Sequence, residues 1–169
     1  MMANEAVNPS GAFDKALMKQ SCDEIKQKIL CEMAAAIEKN DWEASYDLVC
    51  LTQAIDDPEV RADAHNRLLL TPGHKHHQAV TMAIQQLRSP SSVPYTRKVL
   101  AEGFQMFEYT CPEIGVIAKW FSHALASINT AESIALIKEY ACSNDPEIAE
   151  EMAYRLTRLY PSAHPHITT

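Results

Sequence analysis

Glycine is scarce in this chain, 4 in 169 residues, and that excludes a phosphate-cradling glycine-rich loop of the nucleotide-binding kind. No run alternates apolar and polar residues between turn signals, so strands are not expected. The five cysteines, Cys22, Cys31, Cys50, Cys111 and Cys142, form an odd set without a Cys-x-x-Cys pair. That argues against a disulfide framework and a zinc site, and they read as buried free thiols in a reducing compartment. No stretch approaches the roughly 20 apolar residues of a membrane span. Glu5 and Asp14 interrupt the N-terminal region, and no apolar stretch follows a basic start. No secretory signal is read, and the expected location is cytoplasmic. Basic excess is missing too. A net charge of −7 disfavours nucleic-acid binding, which needs a basic face for phosphate contacts.

What is present is the composition of a globular protein, 47% hydrophobic and 22% charged, in a chain long enough to bury one core. Residues 1–12 contain Pro9, Ser10 and Gly11 and read as a flexible N-terminal arm, residues 13–160 as a single helical domain, and residues 161–169 as a flexible tail. A long helix is expected from Phe13 to Lys39, because Leu17, Cys22, Ile25, Ile29, Met33 and Ile37 recur mostly at four-residue steps. Asn40-Asp41 breaks it and caps a helix from Trp42 to Ala54. Asp56-Asp57-Pro58 opens the next, with proline at the first helical position, where its missing donor costs nothing. Further helices are expected over 76–88, 94–108, 112–127, 131–141 and 146–159. Thr130 caps the helix at 131, with Ser133 in place of the usual capping-box glutamate, so that cap reads as a plain one. The expectation is therefore all-α, about eight helices. Val60, Ile84, Ile114, Phe121, Ile137, Ile148, Met152 and Leu156 are the expected core.

One phrase occurs three times. Pro58-Glu59-Val60, Pro112-Glu113-Ile114 and Pro146-Glu147-Ile148 each open a helix, the second and third 34 residues apart. Fixed periods of this length are the signature of stacked helical hairpins. In the preferred register the helices at 94 and 112 form one hairpin and those at 131 and 146 the next, with the helix at 76–88 as the extra element. The alternative pairs that helix with the one at 94.

Ile55-Asp56-Asp57-Pro58-Glu59-Val60-Arg61-Ala62-Asp63-Ala64 resembles the second helix of a HEAT-type repeat. Asn144-Asp145-Pro146-Glu147-Ile148-Ala149 is similar without the arginine, and Cys111-Pro112-Glu113-Ile114 more faintly so. The resemblance covers roughly residues 41–160. It implies an irregular right-handed α-α superhelix whose second helices line the concave side. More distantly, a short, acidic array of this kind looks like the helical-repeat immunity proteins that neutralise bacterial toxins.

Candidate chemistry is thin. His74-Lys75-His76-His77 follows Pro72-Gly73 with no carboxylate or thiol nearby, so it reads as a solvated loop, not as a metal site. None of the seven histidines is followed by glutamate, which sets aside the iron-binding HEAT-like hydroxylases. His65 has no nucleophile at a fixed spacing and reads as a surface histidine. No catalytic residue, cofactor or metal is expected, and no enzyme.

A binding surface remains. Counted from each proline, +2 and +6 are apolar and face the paired helix, while +8 lies well round from that stripe. Position +8 holds Asn66, Trp120 and Tyr154. Position +5 holds Asp63, Ile117 and Glu151, and +1 holds Glu59, Glu113 and Glu147. Glu59, Asp63, Asn66, Glu113, Trp120, Glu147, Glu151 and Tyr154 are therefore the candidate partner-binding residues, forming one acidic and aromatic concave strip. The expected partner is another protein, a basic toxin or effector domain. An adaptor or chaperone for a secreted protein is the sibling reading, and a HEAT-like lyase or ligand carrier is the alternative from another class.

Overall fold

Side-chain caps and left-handed stops divide this chain into helices. The computed structural model describes residues 21–110 and 113–161. The proposed arm at 1–12, residues 13–20 of the first expected helix, Cys111-Pro112 and tail residues 162–169 lie outside them. Among the described residues there are eight α-helices and no strand: α1 Cys22–Glu38, α2 Trp42–Leu51, α3 Pro58–Leu69, α4 His77–Leu87, α5 Val93–Glu102, α6 Ile114–Ile128, α7 Ala131–Tyr140 and α8 Pro146–Leu159. All seven expected starts, from 42 to 146, are met within three residues.

The caps explain the boundaries. Ser21 and Glu24 form a capping box, so α1 begins at Cys22 and does not run through from Phe13. Asp57 Oδ1 accepts the Glu59 and Val60 N–H groups at 2.9 and 3.1 Å, and Asp145 repeats this for Glu147 and Ile148 at 3.0 and 3.2 Å. The cap at Thr130 is a full box after all. Ser133 Oγ accepts the Thr130 N–H at 2.9 Å, doing with a hydroxyl what glutamate does elsewhere. At the other ends, Arg88 and Asn129 take left-handed conformations at φ 55° and 54° and stop α4 and α6. The helix expected to reach Glu108 stops at Glu102, because Gly103 turns at φ 84° and ψ −179°, a conformation essentially reserved for glycine. A 3-10 turn at Gln105–Phe107 follows, and another, Thr52–Ala54, ends the second expected helix early.

Packing gives the expected pairing of the helices at 131 and 146, α7 on α8, but not that of the helices at 94 and 112. α1 packs on α2 and α3, α3 on α4, α4 on α6, and α6 on both α7 and α8, while α5 touches α6 and α7 only lightly. The helix at 77–87 is thus an integral layer, and the one at 93–102 is the outlier. The arrangement is compatible with an α-helical superhelix. The core runs through it from Ile29 and Met33 to Leu136 and Met152. Its centre is aromatic: Phe121 lies 5.6 Å from both Phe104 and Phe107, stacked on the first and edge-on to the second. Of the expected core, Ile84, Phe121, Ile137, Ile148 and Met152 are buried. Val60, Ile114 and Leu156 are only partly buried, packed against its edge. The cysteine expectation fails at three positions: Cys31, Cys50 and Cys142 are free but exposed, and Cys22 is half-buried.

Candidate functional site

The histidine cluster is buried, not solvated. His74 and His77 are fully enclosed. His74 Nε2 lies 2.8 Å from the Leu68 carbonyl, which can only accept, so Nε2 carries the proton. Its Nδ1 then accepts the His76 N–H at 3.0 Å. His77 Nε2 donates to the Thr71 carbonyl at 2.9 Å, and its Nδ1 meets the Tyr109 hydroxyl at 2.7 Å. Because that hydroxyl already receives the His77 N–H at 3.2 Å, it donates to Nδ1. Both rings are neutral and every nitrogen is used, so no lone pair is left for a metal. Burial, reinforced by His74, lowers the His77 pKa to about 3, and burial also lowers that of His74. The network's work is structural: it closes the α3–α4 loop. Among the described residues, no group of three or more His, Cys, Asp or Glu is placed to hold a metal ion.

His65 is also interior, contrary to the surface expectation. Thr52 Oγ1 spends its hydrogen on the Val49 carbonyl at 2.6 Å, so it accepts from His65 Nε2 at 3.1 Å. His65 Nδ1 is left without a partner among the protein atoms. Burial, and then the charge of Arg61, lowers its pKa to about 4.

The eight candidate partner-binding residues separate into two groups. On α3 they are structural. Asn66 is 1% exposed and cannot belong to a surface strip. Asp63 binds Lys26 of α1 and Arg67, both at 3.0 Å. Burial raises the Asp63 pKa, but these two hydrogen bonds outweigh it and hold the carboxyl below its ordinary value. Glu59 is exposed, yet it accepts the Ser89 hydroxyl at 2.9 Å and ties α3 to the turn that follows α4. Moreover, α4 packs on both α3 and α6, so the three Pro-Glu helices do not form one uninterrupted strip.

On α6 and α8 the residues lie together. Glu113 is exposed at the start of α6, but its side chain caps nothing. The cap comes from the neighbouring helix: Glu147 Oε2 accepts the Gly115 N–H at 2.8 Å, placing a carboxylate at the positive end of α6. Glu151 Oε1 accepts from Ser122 Oγ at 2.8 Å and from Arg155 Nη2 at 3.0 Å. Glu151 and Arg155 are nearly enclosed, so this pair fastens α8 to α6. Tyr154 is 52% exposed beside them. A hollow of about 270 Å³ lies here, walled by Gly115, Glu147, Glu150, Glu151 and Tyr154.

Across α6 a second groove, of about 310 Å³, separates it from α4. Trp120 is half-buried in its wall. Met82, 55% exposed, and Val116, 37% exposed, complete the apolar surface, and Lys119 and His123 stand at its edge. Met82 and Val116 are absent from the expected strip. Their signal was an apolar residue off the buried stripe: Met82 falls between Val80 and Ile84, both of which face the core. A larger groove of about 710 Å³ lies between α1 and α2, lined by Ala36, Ala44, Leu48 and Leu51 among small and charged residues.

Comparison of the chain with family models, with curated proteins and with solved structures finds no match. No helix among the described residues is long and apolar enough to cross a membrane.

Proposed function

We propose that this chain is a non-catalytic protein-binding module, an inhibitor of the immunity type that acts in the cytoplasm by covering the working surface of a toxin or effector domain. The supporting observation is the α4–α6 groove. It presents Met82, Val116 and Trp120 to solvent together, beside the carboxylates of α8. Large apolar side chains grouped within a charged rim are how protein partners are anchored. The nitrogens of His74 and His77, by contrast, are all engaged within the α3–α4 loop network. Adaptor and chaperone roles would use the same surface. Neither nucleic acid nor membrane is a partner in this reading.

The test is capture from the native host with the full chain and with the Met82→Asp/Val116→Asp variant, followed by mass spectrometry and an assay of the captured partner. A partner held by the wild type, lost by the variant and inhibited when bound supports the reading. A partner whose activity is unchanged in the complex removes the inhibitor role and leaves the adaptor one. A second reading, a ligand carrier or HEAT-like lyase, draws on the roomy α1–α2 groove. Purification with a stoichiometric small molecule bound there would favour it.

A further inference from the structure

The groove and the acidic hollow flank α6, one towards α4 and the other towards α8. At 100° per residue, Lys119 falls about 40° from Gly115, in the hollow, and about 60° from Val116, in the groove, so the three succeed one another round a single arc. α4 and α8 each pack on α6, so the groove and the hollow stand about one helix spacing apart, on the order of 8–10 Å.

The charge along this arc is segregated. Glu151 is neutralised by Arg155. Glu147 commits one oxygen to the Gly115 N–H and meets no cation among the described residues. Glu150 lines the hollow and makes no ion pair among them. The far side of the ridge is therefore negative and the near side apolar. Lys119 on the ridge disfavours a segment that is basic throughout.

We propose that this face takes an amphipathic segment of a partner protein, one that carries a large apolar side chain and, about one helix spacing away, a Lys or Arg. The inference rests on the protein-binding reading above. The apolar side chain enters the groove against Met82, Val116 and Trp120. The cation crosses the ridge to Glu147 and Glu150, beside the half-exposed Tyr154 ring, over which Arg155 already lies at 5.9 Å. An acidic segment would meet two uncompensated carboxylates, and a wholly apolar one would leave them desolvated and unpaired.

The test is selection of displayed random dodecapeptides on the full chain, with counter-selection on the Met82→Asp/Val116→Asp variant. Affinities of the selected peptides are then read by fluorescence anisotropy. The expected peptides share a large apolar residue and a Lys or Arg, bind the counter-selected variant about tenfold more weakly or worse, and lose several-fold on Glu147→Gln/Glu150→Gln, a loss that shrinks at high salt. Met82 and Val116 are exposed, so that variant should fold, and circular dichroism melts check it. Trp120→Ala gives an independent second variant. Peptides that need Met82 and Val116 but ignore Glu147 and Glu150, or that are acidic, overturn the partner chemistry and leave the protein-binding reading standing. Peptides that bind every variant as tightly as wild type, or a selection that enriches none dependent on this face, overturn both.

Discussion

At the residue scale, the buried histidines make the clearest prediction. His65, His74 and His77 are neutral in the fold, with pKa values lowered from 6.5, to about 4 for His65 and about 3 for His77. Below pH 6.5 the unfolded chain takes up protons that the folded chain refuses, so stability must fall as pH falls. The loss begins near 6.5 and continues down towards the folded values, at up to about 1.4 kcal/mol per pH unit for each histidine. Urea midpoints measured from about pH 8 to about pH 5 should be level at first and then decline. A flat curve through that range would contradict the burial. Phe121 makes a second prediction. It is fully enclosed between Phe104 and Phe107, so Phe121→Ala should cost about 3–5 kcal/mol in urea unfolding, and a loss under about 1 kcal/mol would show that the site collapses. The apolar stripes disclosed Phe121 in advance, but they could not disclose the histidines. A His-Lys-His-His run after Pro-Gly looks wet until Tyr109, 32 residues on, closes over His77.

At the element scale, caps and breakers were largely legible because they act within four residues. Asp41 and Thr130 cap the helices expected of them, and Asp57 and Asp145 cap the helices that open on Pro58 and Pro146. Gly103 is a breaker that the apolar period does not reveal, and α5 ends at Glu102, short of the expected Glu108. A β-carbon there would sit 2.9 Å from Gln105 Oε1, and the backbone conformation is itself unfavourable for any other residue. Gly103→Ala should therefore cost about 1–3 kcal/mol, seen as a lower melting temperature, whereas the same change at an ordinary helix site would stabilise. An unchanged melting temperature would show that the turn can take another form. Three identical Pro-Glu openings also proved to be three different devices. Glu59 holds Ser89, Glu113 caps nothing, and Glu147 caps α6 from outside it.

At the scale of the whole molecule, the order of packing decides which faces meet solvent. α3 is covered by both α1 and α4, which leaves Asn66 inside although its helical phase matches that of Tyr154. α8 is covered by α6 and α7, and Tyr154 stays out. The proposed binding face therefore lies on α4, α6 and α8, not on the expected row of three Pro-Glu helices. Trp120 stands in the groove wall, and with an identified partner Trp120→Ala should cost about 2 kcal/mol or more, mainly through faster dissociation. Dissociation rates equal to wild type, in a variant that melts normally, would place recognition elsewhere on the surface.

Local chemistry in the amino-acid sequence was enough to determine the all-helical class, the helix starts and much of the core. Caps, prolines and apolar periods act over one or two turns, and each can be read without knowing what lies opposite. Tertiary structure alone decided the helix neighbours, the burial of His65, Asn66, His74 and His77, and the meeting of Met82 with Val116 and Trp120. Those outcomes depend on contacts from outside the helix that carries the residue, such as Thr52 on His65, 13 residues away, and Tyr109 on His77, 32 away, and a helical period records that a side has a partner without recording how many sides do.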